Sequence, residues 1–472
     1  MRKRGYRIET DSMGKVKVPR NAYYGAQTQR AVENFPISSL RFPRAFIWAI
    51  GLIKEAGAQA NQELGLLEKN IAKTIRQAAH EVAKGVWDDQ FVVDIFQTGS
   101  GTSTNMNANE VIANRAIELL GGKIGTKSPV HPNEHVNLGQ SSNDVIPSAI
   151  HMAATREIIH NLIPALRALQ QSLANKAREF DQVIKIGRTH LQDALPIKLG
   201  QEFGGYARQI EMGIKRLKAT LPSLSELALG GTAVGTGFGS HVDFARRAIS
   251  IINKKTKLNF REAKDHFAVQ GGQDAVLEAS NALKSVAVSL LKIANDVRWL
   301  SSGPRCGIGE IQMAEVQPGS SIMPGKVNPV IAESVIQVAA HILGNDAAIT
   351  IGAQMGNFEL NTMLPLMGYN LLQSIQILAS AVCNFKERCI DGLEANVERC
   401  KAMLEKSLAL ATALVPEIGY DRAAGIAKKA FKTGKTISEI ALEENILPPD
   451  GLKELLDPKK MTKPGLPGKK GK

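Results

Sequence analysis

The sequence has few cysteines and few aromatic residues, and each shortage excludes a class of protein. The four cysteines at positions 306, 383, 389 and 400 include no CxxC pair in 472 residues. Neither a zinc ribbon nor a disulfide framework is indicated, and a reducing compartment is expected. Aromatic residues make up only 5% of the chain, which predicts packing by aliphatic and small side chains. The apolar share of 44% and the charged share of 22% exclude a disordered, collagenous or membrane-embedded chain.

Negative charge is scarce at both ends of the chain. The formal net charge is +13, and much of it comes from Arg2, Lys3, Arg4 and Arg7 at the start and from Lys459, Lys460, Lys463, Lys469, Lys470 and Lys472 at the end. This placement predicts solvated tails, with weak nucleic-acid contact as the alternative. No apolar stretch follows the basic start, so we expect no secretory signal and a cytoplasmic protein.

The apolar pattern predicts an all-α fold built on long helices. From Pro196 to Leu221 apolar residues recur every three or four positions, which indicates a long helix that begins near Pro196. The segment 273–300 has neither Pro nor Gly and is apolar on more than one side, so it should be buried on more than one side. Three more long helices are expected from residue 141 to about 178 with a kink at Pro164, after Pro329, and from Leu366 onward.

These five helices predict a central bundle domain over 139–395. An N-terminal lobe over 1–138 and a small helical C-terminal domain over 396–472 with a basic tail complete the predicted organisation. The uncharged stretch 360–385 is long enough to cross a membrane. Its Asn, Gln and Ser residues favour a protein bundle instead, so no membrane association is expected.

Four polar clusters interrupt the helical pattern, and they supply the candidate site. They are GSGTSTNMN (99–107), HPNEHVNLGQSSND (131–144), GRTHLQD (187–193) and PGSSIMPGKVNP (318–329). Each offers hydroxyls, amides or a single cation, mostly just before a predicted helix, whose free N–H groups attract anions. The clusters therefore predict a site for a carboxylate or a phosphate.

Other interpretations of single clusters exist. Ser141, Ser142 and Asn143 could simply cap a helix. GSGTSTN lacks the lysine of a phosphate-binding loop. His131 and His135 are four apart, but no third ligand is obvious, so no metal site is predicted.

GSSIMPGKVNP resembles the signature of the fumarase/aspartase superfamily, and the other clusters match that family in order and spacing. The resemblance runs from RIETDSMG (7–14) to GYDRAAGIAKKA (419–430). It is closest to the class II fumarate hydratases, in QSSND and GRTHLQD above all, and an aspartase is the alternative. It implies a three-domain all-α fold, a homotetramer whose central bundle forms its core and whose active sites are shared among three chains, a small dicarboxylate substrate and no metal or organic cofactor.

The resemblance also implies a reaction, the reversible hydration of fumarate to (S)-malate in the tricarboxylic acid cycle through an aci-carboxylate intermediate. Ser320 would be the base, His190 would activate water or protonate the leaving hydroxyl, Glu333 would orient the histidine, and Lys326 would stabilise the intermediate. The implied substrate-binding residues are Ser100, Gly101, Thr102, Ser141, Ser142, Asn143, Thr189, Ser321, Lys326, Val327 and Asn328. An accessory carboxylate site is implied at His131, Pro132, Asn133 and Glu134, where Glu134 replaces a shorter Asp.

Overall fold

A computed structural model describes residues 5–465 of the chain. Most of the predicted basic tails, namely Arg2, Lys3, Arg4, Lys469, Lys470 and Lys472, lie outside the described residues. The chain divides into two compact units. The first unit contains the residues up to Pro164, Gly213–Val288 and Val338–Ser380, and the second contains Ala165–Met212, Ser289–Gln337 and the residues from Ala381 onward. The division into 1–138, 139–395 and 396–472 stays a prediction.

The fold is all-α, as predicted. Residues 5–465 form seventeen α-helices: α1 Ala26–Asn34, α2 Arg44–Glu63, α3 Lys69–Lys84, α4 Thr102–Leu119, α5 Ser142–Glu157, α6 Ile163–Glu179, α7 Leu199–Leu224, α8 Phe244–Thr256, α9 His266–Gly271, α10 Asp274–Leu300, α11 Val330–Ala353, α12 Leu364–Phe385, α13 Val397–Glu405, α14 Val415–Ile418, α15 Tyr420–Thr433, α16 Ile437–Glu443 and α17 Pro449–Leu455. Single π turns occur at Pro132–Val136, Ile158–Leu162 and Lys386–Ile390, and 3₁₀ turns at Asp88–Gln90, Leu408–Leu414 and Lys460–Thr462.

The described chain also has ten short strands in two-stranded sheets. The antiparallel pairs are β1 Tyr6–Asp11 with β2 Gly14–Pro19, β3 Ile184–Thr189 with β4 Gln192–Lys198, β7 Ile311–Gln312 with β10 Glu394–Ala395, and β8 Gly356–Asn357 with β9 Leu360–Asn361. The pair β5 Glu226–Leu227 with β6 Arg261–Glu262 is parallel.

One predicted helix boundary was wrong. Pro196 lies in β4, opposite Ile186, and α7 begins only at Leu199. A proline is tolerated there because each strand of a two-stranded sheet is an edge strand. The predicted helix from 141 to about 178 is present as one continuous helical segment from Ser142 to Glu179, in which the π turn Ile158–Leu162 separates α5 from α6.

The remaining long helices agree with the prediction. Helices α10, α11 and α12 cover the segments expected from their apolar patterns. Helix α11 and the segment Leu364–Ile390 are long and apolar enough to cross a membrane by length and composition, as buried core helices also are. Of the 18 most apolar consecutive residues in α11, only 39% are buried, whereas 56% are buried in the corresponding stretch of Leu364–Ile390. The single chain therefore leaves much of an apolar helix surface uncovered.

A hydrophobic cluster in the second unit anchors the β3–β4 hairpin. Ile186 of β3 packs with Leu404, Leu414, Ile426 and Ile440 from the C-terminal helices, and all five are almost completely buried. The hairpin carries the cluster GRTHLQD, so this packing fixes the base of a predicted site segment.

Candidate active site

The cluster GSGTSTN forms the start of α4, beside the start of α5. Gly101 precedes α4 with φ +73°, and a Cβ at this position would lie 2.9 Å from the Ile146 side chain. Only glycine meets both demands without strain. The hydroxyls of Ser100 and Thr102 are 2.8 Å apart, and those of Thr102 and Ser142 are 2.7 Å apart. A row of hydroxyls therefore joins the two helix N-termini.

Ser141 caps α5 in the manner of a capping box. Its hydroxyl accepts a hydrogen bond from the Asn143 backbone N–H at 3.2 Å, and the Asp144 carboxylate accepts from the Ser141 N–H at 2.9 Å. The capping interpretation is thus correct for Ser141. It does not account for Ser142, which contacts Thr102, or for Asn143, whose amide donates to the carbonyl of Ala233 at 2.8 Å.

Three residues of the predicted accessory site lie on the π turn Pro132–Val136, and the fourth, His131, caps this turn. His131 Nδ1 accepts hydrogen bonds from the backbone N–H groups of Asn133 and Glu134, at 3.2 Å each. Burial lowers the pKa of His131, in keeping with a neutral ring whose Nδ1 is an acceptor. Asn133 and Glu134 are exposed, and Pro132 is buried.

His190 lies at the tip of the β3–β4 hairpin. Thr189 pairs with Gln192, so His190 and Leu191 form a two-residue loop, with φ +55° and +61°. Such type I′ loops favour Asn and Gly, because the left-handed region costs other residues roughly 1–2 kcal/mol each. The candidate catalytic histidine therefore sits in a strained turn, and its side chain is exposed.

A buried ion cluster joins strand β3 of the hairpin to Glu202 and Glu310. Both carboxylate oxygens of the completely buried Glu310 accept from the Arg188 guanidinium at 2.9 Å, and Lys185 Nζ lies 3.1 Å from Glu310. Lys185 also donates to Glu202 at 3.1 Å. Sequence reasoning missed Lys185, Glu202 and Glu310, and the only signal was Arg188 within the cluster GRTHLQD.

The loop 318–329 closes on itself. The Gly319 N–H donates to the Lys326 carbonyl at 2.8 Å, and the Asn328 amide donates to the Gly319 carbonyl at 2.6 Å. Within this loop the Ser320 hydroxyl oxygen accepts from the backbone N–H groups of Ile322 at 3.2 Å and Met323 at 3.0 Å. Two converging donors stabilise negative charge on that oxygen.

Lys326, Val327, Asn328 and Glu333 line one cavity of about 800 Å³ in the second unit. Glu333 lies in the first turn of α11. Within residues 5–465, the side chains of His190 and Glu333 have no hydrogen-bond or ion-pair partner, so the expected partnership of these two residues stays a prediction. In the same described range, no three His, Cys, Asp or Glu side chains are grouped to hold a metal ion.

The predicted site residues fall into two sets. The first unit brings together Ser100, Gly101, Thr102, Ser141, Ser142 and Asn143, with His131, Pro132, Asn133 and Glu134 on the adjoining turn. The second unit holds Thr189 and His190 on the hairpin, and Ser320, Ser321, Lys326, Val327, Asn328 and Glu333 on or beside the loop 318–329. Both sets are rich in donors and poor in acids, as an anion site requires.

Comparison with known proteins agrees with this chemistry. Residues 14–344 match the family model described as Lyase, and residues 410–463 match the model described as Fumarase C C-terminus. The helices and polar clusters are thus those of a lyase.

Individual relatives show to which family of lyases the chain belongs. The chain is 56% identical over 461 residues to a class II fumarate hydratase of Halobacterium salinarum, covering 98% of each chain, and 52% identical to one of Nitrosomonas europaea, covering 97% of this chain and 99% of that one. A crystal structure of class II fumarase from Schistosoma mansoni superimposes with a TM-score of 0.94 at 39% identity, covering 97% and 99% of the two chains. The chain belongs to the class II fumarate hydratase family.

Proposed function

We propose that this chain is a hydro-lyase that interconverts fumarate and (S)-malate, with Ser320 as the base. The observation that carries the assignment of the base is the pair of backbone N–H groups at the Ser320 hydroxyl. Serine is a weak base at its ordinary pKa, and donors directed at its oxygen favour the alkoxide. The relatives at 50% identity and above are fumarate hydratases, so the aspartase alternative is not favoured.

The difficult step is removal of a proton from the carbon next to a carboxylate. The resulting carbanion is a doubly charged aci-carboxylate, and preorganised donors are the means to stabilise it. Lys326 and Asn328, in the loop that carries Ser320, supply a cation and an amide. Loss of one such donor typically raises the barrier by about 3–4 kcal/mol. Lysine and oriented dipoles supply this stabilisation with no organic cofactor.

The remaining roles are those that the family resemblance implies. Ser100, Gly101, Thr102, Ser141, Ser142, Asn143 and Thr189 hold the substrate carboxylates, together with Ser321 and Val327 of the second set. His190 protonates the leaving hydroxyl or activates water, and Glu333 orients it. The π turn with His131, Pro132, Asn133 and Glu134 is an accessory carboxylate site. Its longer acid, Glu134, is exposed.

We infer a homotetramer in the cytoplasm whose active sites each combine residues of three chains. The support is the uncovered apolar surface on α10 and α11, where Val288 is 50%, Leu343 37% and Ile351 60% exposed. Apolar surface of this kind marks an interface. The unpartnered side chains of His190 and Glu333 are also consistent with partners on another chain. A stable and fully active monomer in light scattering would contradict the assembly.

The experiment that tests the function follows the ultraviolet absorbance of the fumarate double bond. Purified protein should remove the absorbance of added fumarate without ammonia and generate it from (S)-malate. Turnover that requires ammonia, or that converts aspartate and not malate, would replace hydration with the aspartase reaction.

A further inference from the structure

Lys54 of α2 is a completely buried lysine, and within residues 5–465 no carboxylate forms an ion pair with it. Its Nζ donates to Asn137 Oδ1 at 2.9 Å and to Gln140 Oε1 at 3.0 Å. Burial lowers the pKa of Lys54 to about 7, against the through-space attraction of Asp144. Neutral amide oxygens only partly repay the desolvation of an ammonium group.

The two acceptors of Lys54 lie directly before the first turn of α5. Residues 137–140 connect the π turn Pro132–Val136 to Ser141. Asn137 Oδ1 also accepts from the amides of Asn105 at 3.2 Å and Asn109 at 3.1 Å, both on α4. Asn137 Oδ1 therefore joins the connection before α5 both to Lys54 of α2 and to the helix that begins with Thr102.

Asp144 supports the same turn of α5 from the other side. Its carboxylate accepts from the Ser141 N–H at 2.9 Å and from the N–H groups of Gly230 and Thr232 at 3.0 Å each. Burial raises the pKa of Asp144 to about 6, against these donors and Lys54. Ser142 and Asn143 thus lie between two buried anchors, one cationic and one anionic.

An apolar residue at position 54 would avoid the desolvation cost, because replacing a buried charge with a residue of similar volume is often neutral or stabilising. Buried groups that packing alone does not favour are expected at functional sites. We propose that Lys54 is a positioning residue that fixes the first turn of α5 and adds a buried positive charge to the dicarboxylate site formed there. This inference rests on the proposed function, because it concerns the affinity for the substrate of that reaction.

The other charged groups on and around α2 form ion pairs or hydrogen bonds with residues other than Lys54. Among the described residues, the Asp144 carboxylate on α5 attracts the Lys54 ammonium through space. Glu55 is paired with Lys255 of α8 and His80 of α3, Glu110 of α4 accepts from the start of α1, and His131 of the π turn is an acceptor for its own turn. Protonation of Lys54 is therefore the change to follow as pH crosses 7.

The test compares Lys54→Met with the wild-type enzyme, because methionine keeps the length of the side chain and removes the charge. We expect KM for fumarate and for (S)-malate to rise about tenfold, an order-of-magnitude value for the loss of one buried charge near a charged ligand. We expect kcat to change by less than about threefold, and the melting temperature at pH 7 to hold or rise. Lys176→Met is the matched control, since Lys176 is a buried lysine that donates to the Leu393 carbonyl in the second unit. Its KM should stay unchanged.

Two results would overturn the proposal in favour of a purely structural lysine. One is a KM of Lys54→Met within about twofold of the wild-type value. The other is a rise of KM together with a fall of both kcat and melting temperature. If Lys54→Met does not fold, Gln140→Met serves instead. KM should rise with pH as Lys54 loses its proton. Loss of one acceptor lowers the pKa of Lys54 further, so in Gln140→Met this rise of KM should begin at lower pH. An unchanged dependence of KM on pH would refute the proposed role of Lys54. Wild-type protein that hydrates no fumarate at all would instead refute the proposed function.

Discussion

Replacement of Ser320 by alanine separates the catalytic interpretation of the loop 318–329 from a structural one. The substitution removes one half-buried hydroxyl that accepts two backbone N–H groups. Water can reach those donors because Ile322 and Met323 are exposed, so we expect the free energy of unfolding to fall by about 1 kcal/mol or less. The loop should stay closed, because the bonds of Gly319 to Lys326 and Asn328 do not involve the hydroxyl.

Activity should fall much further than stability. A general base contributes about 100- to 10,000-fold, which corresponds to roughly 3–5 kcal/mol in the activation free energy. The assay is initial-rate hydration of fumarate, with urea unfolding and light scattering on the same preparation. Ser321→Ala is the control, because Ser321 is exposed on the same loop, and its kcat should fall by less. Near-normal kcat in Ser320→Ala, with assembly intact, would refute Ser320 as the base and favour His190.

Three further outcomes are expected. Glu310→Gln leaves Arg188 without its ion-pair partner and Lys185 with Glu202 alone, so urea unfolding should show a loss of about 3–5 kcal/mol, and an unchanged midpoint would contradict the role of the ion cluster. The free energy of unfolding of Leu191→Gly should exceed that of Leu191→Ala by about 1 kcal/mol, because only glycine adopts the left-handed conformation of this turn without strain. Equal stabilities of the two variants would argue against strain there. Because the pKa of Lys54 is lowered in the folded state to about 7, the unfolded chain binds more protons between pH 7 and about 10. Wild-type stability relative to Lys54→Met should therefore rise by up to about 4 kcal/mol over that range, and a flat difference would show that Lys54 titrates normally.

Local sequence patterns were sufficient for the helices that are long and uniform. Helix α10 could be predicted because 273–300 has no Pro or Gly and a regular apolar stripe. Helix α7 was placed three residues too early, because the apolar spacing from Pro196 onward fits a helix as well as the end of β4. The choice between them depends on pairing with Ile186, which the spacing does not contain.

The residues that hold the candidate site in place could not be predicted from the sequence, for a different reason. The bond from Lys54 to Asn137 joins residues 83 positions apart, and that from Arg188 to Glu310 joins residues 122 positions apart. A single sequence shows which residues can donate and accept, but distant partners are chosen by packing. Motifs therefore predicted the groups that we propose to contact substrate, and the structure was needed for the residues that hold them in place.

The uncovered surface of α11 has a consequence for how this enzyme is handled. In the proposed homotetramer the folded state is stabilised by association, so dilution withdraws part of that stabilisation. Melting temperature and specific activity should both decline as the subunit concentration drops towards the dissociation constant of the assembly. Rate measurements at very low enzyme concentration would then report the fraction of assembled chains as well as the chemistry, and an added substrate that bridges several chains would restore both.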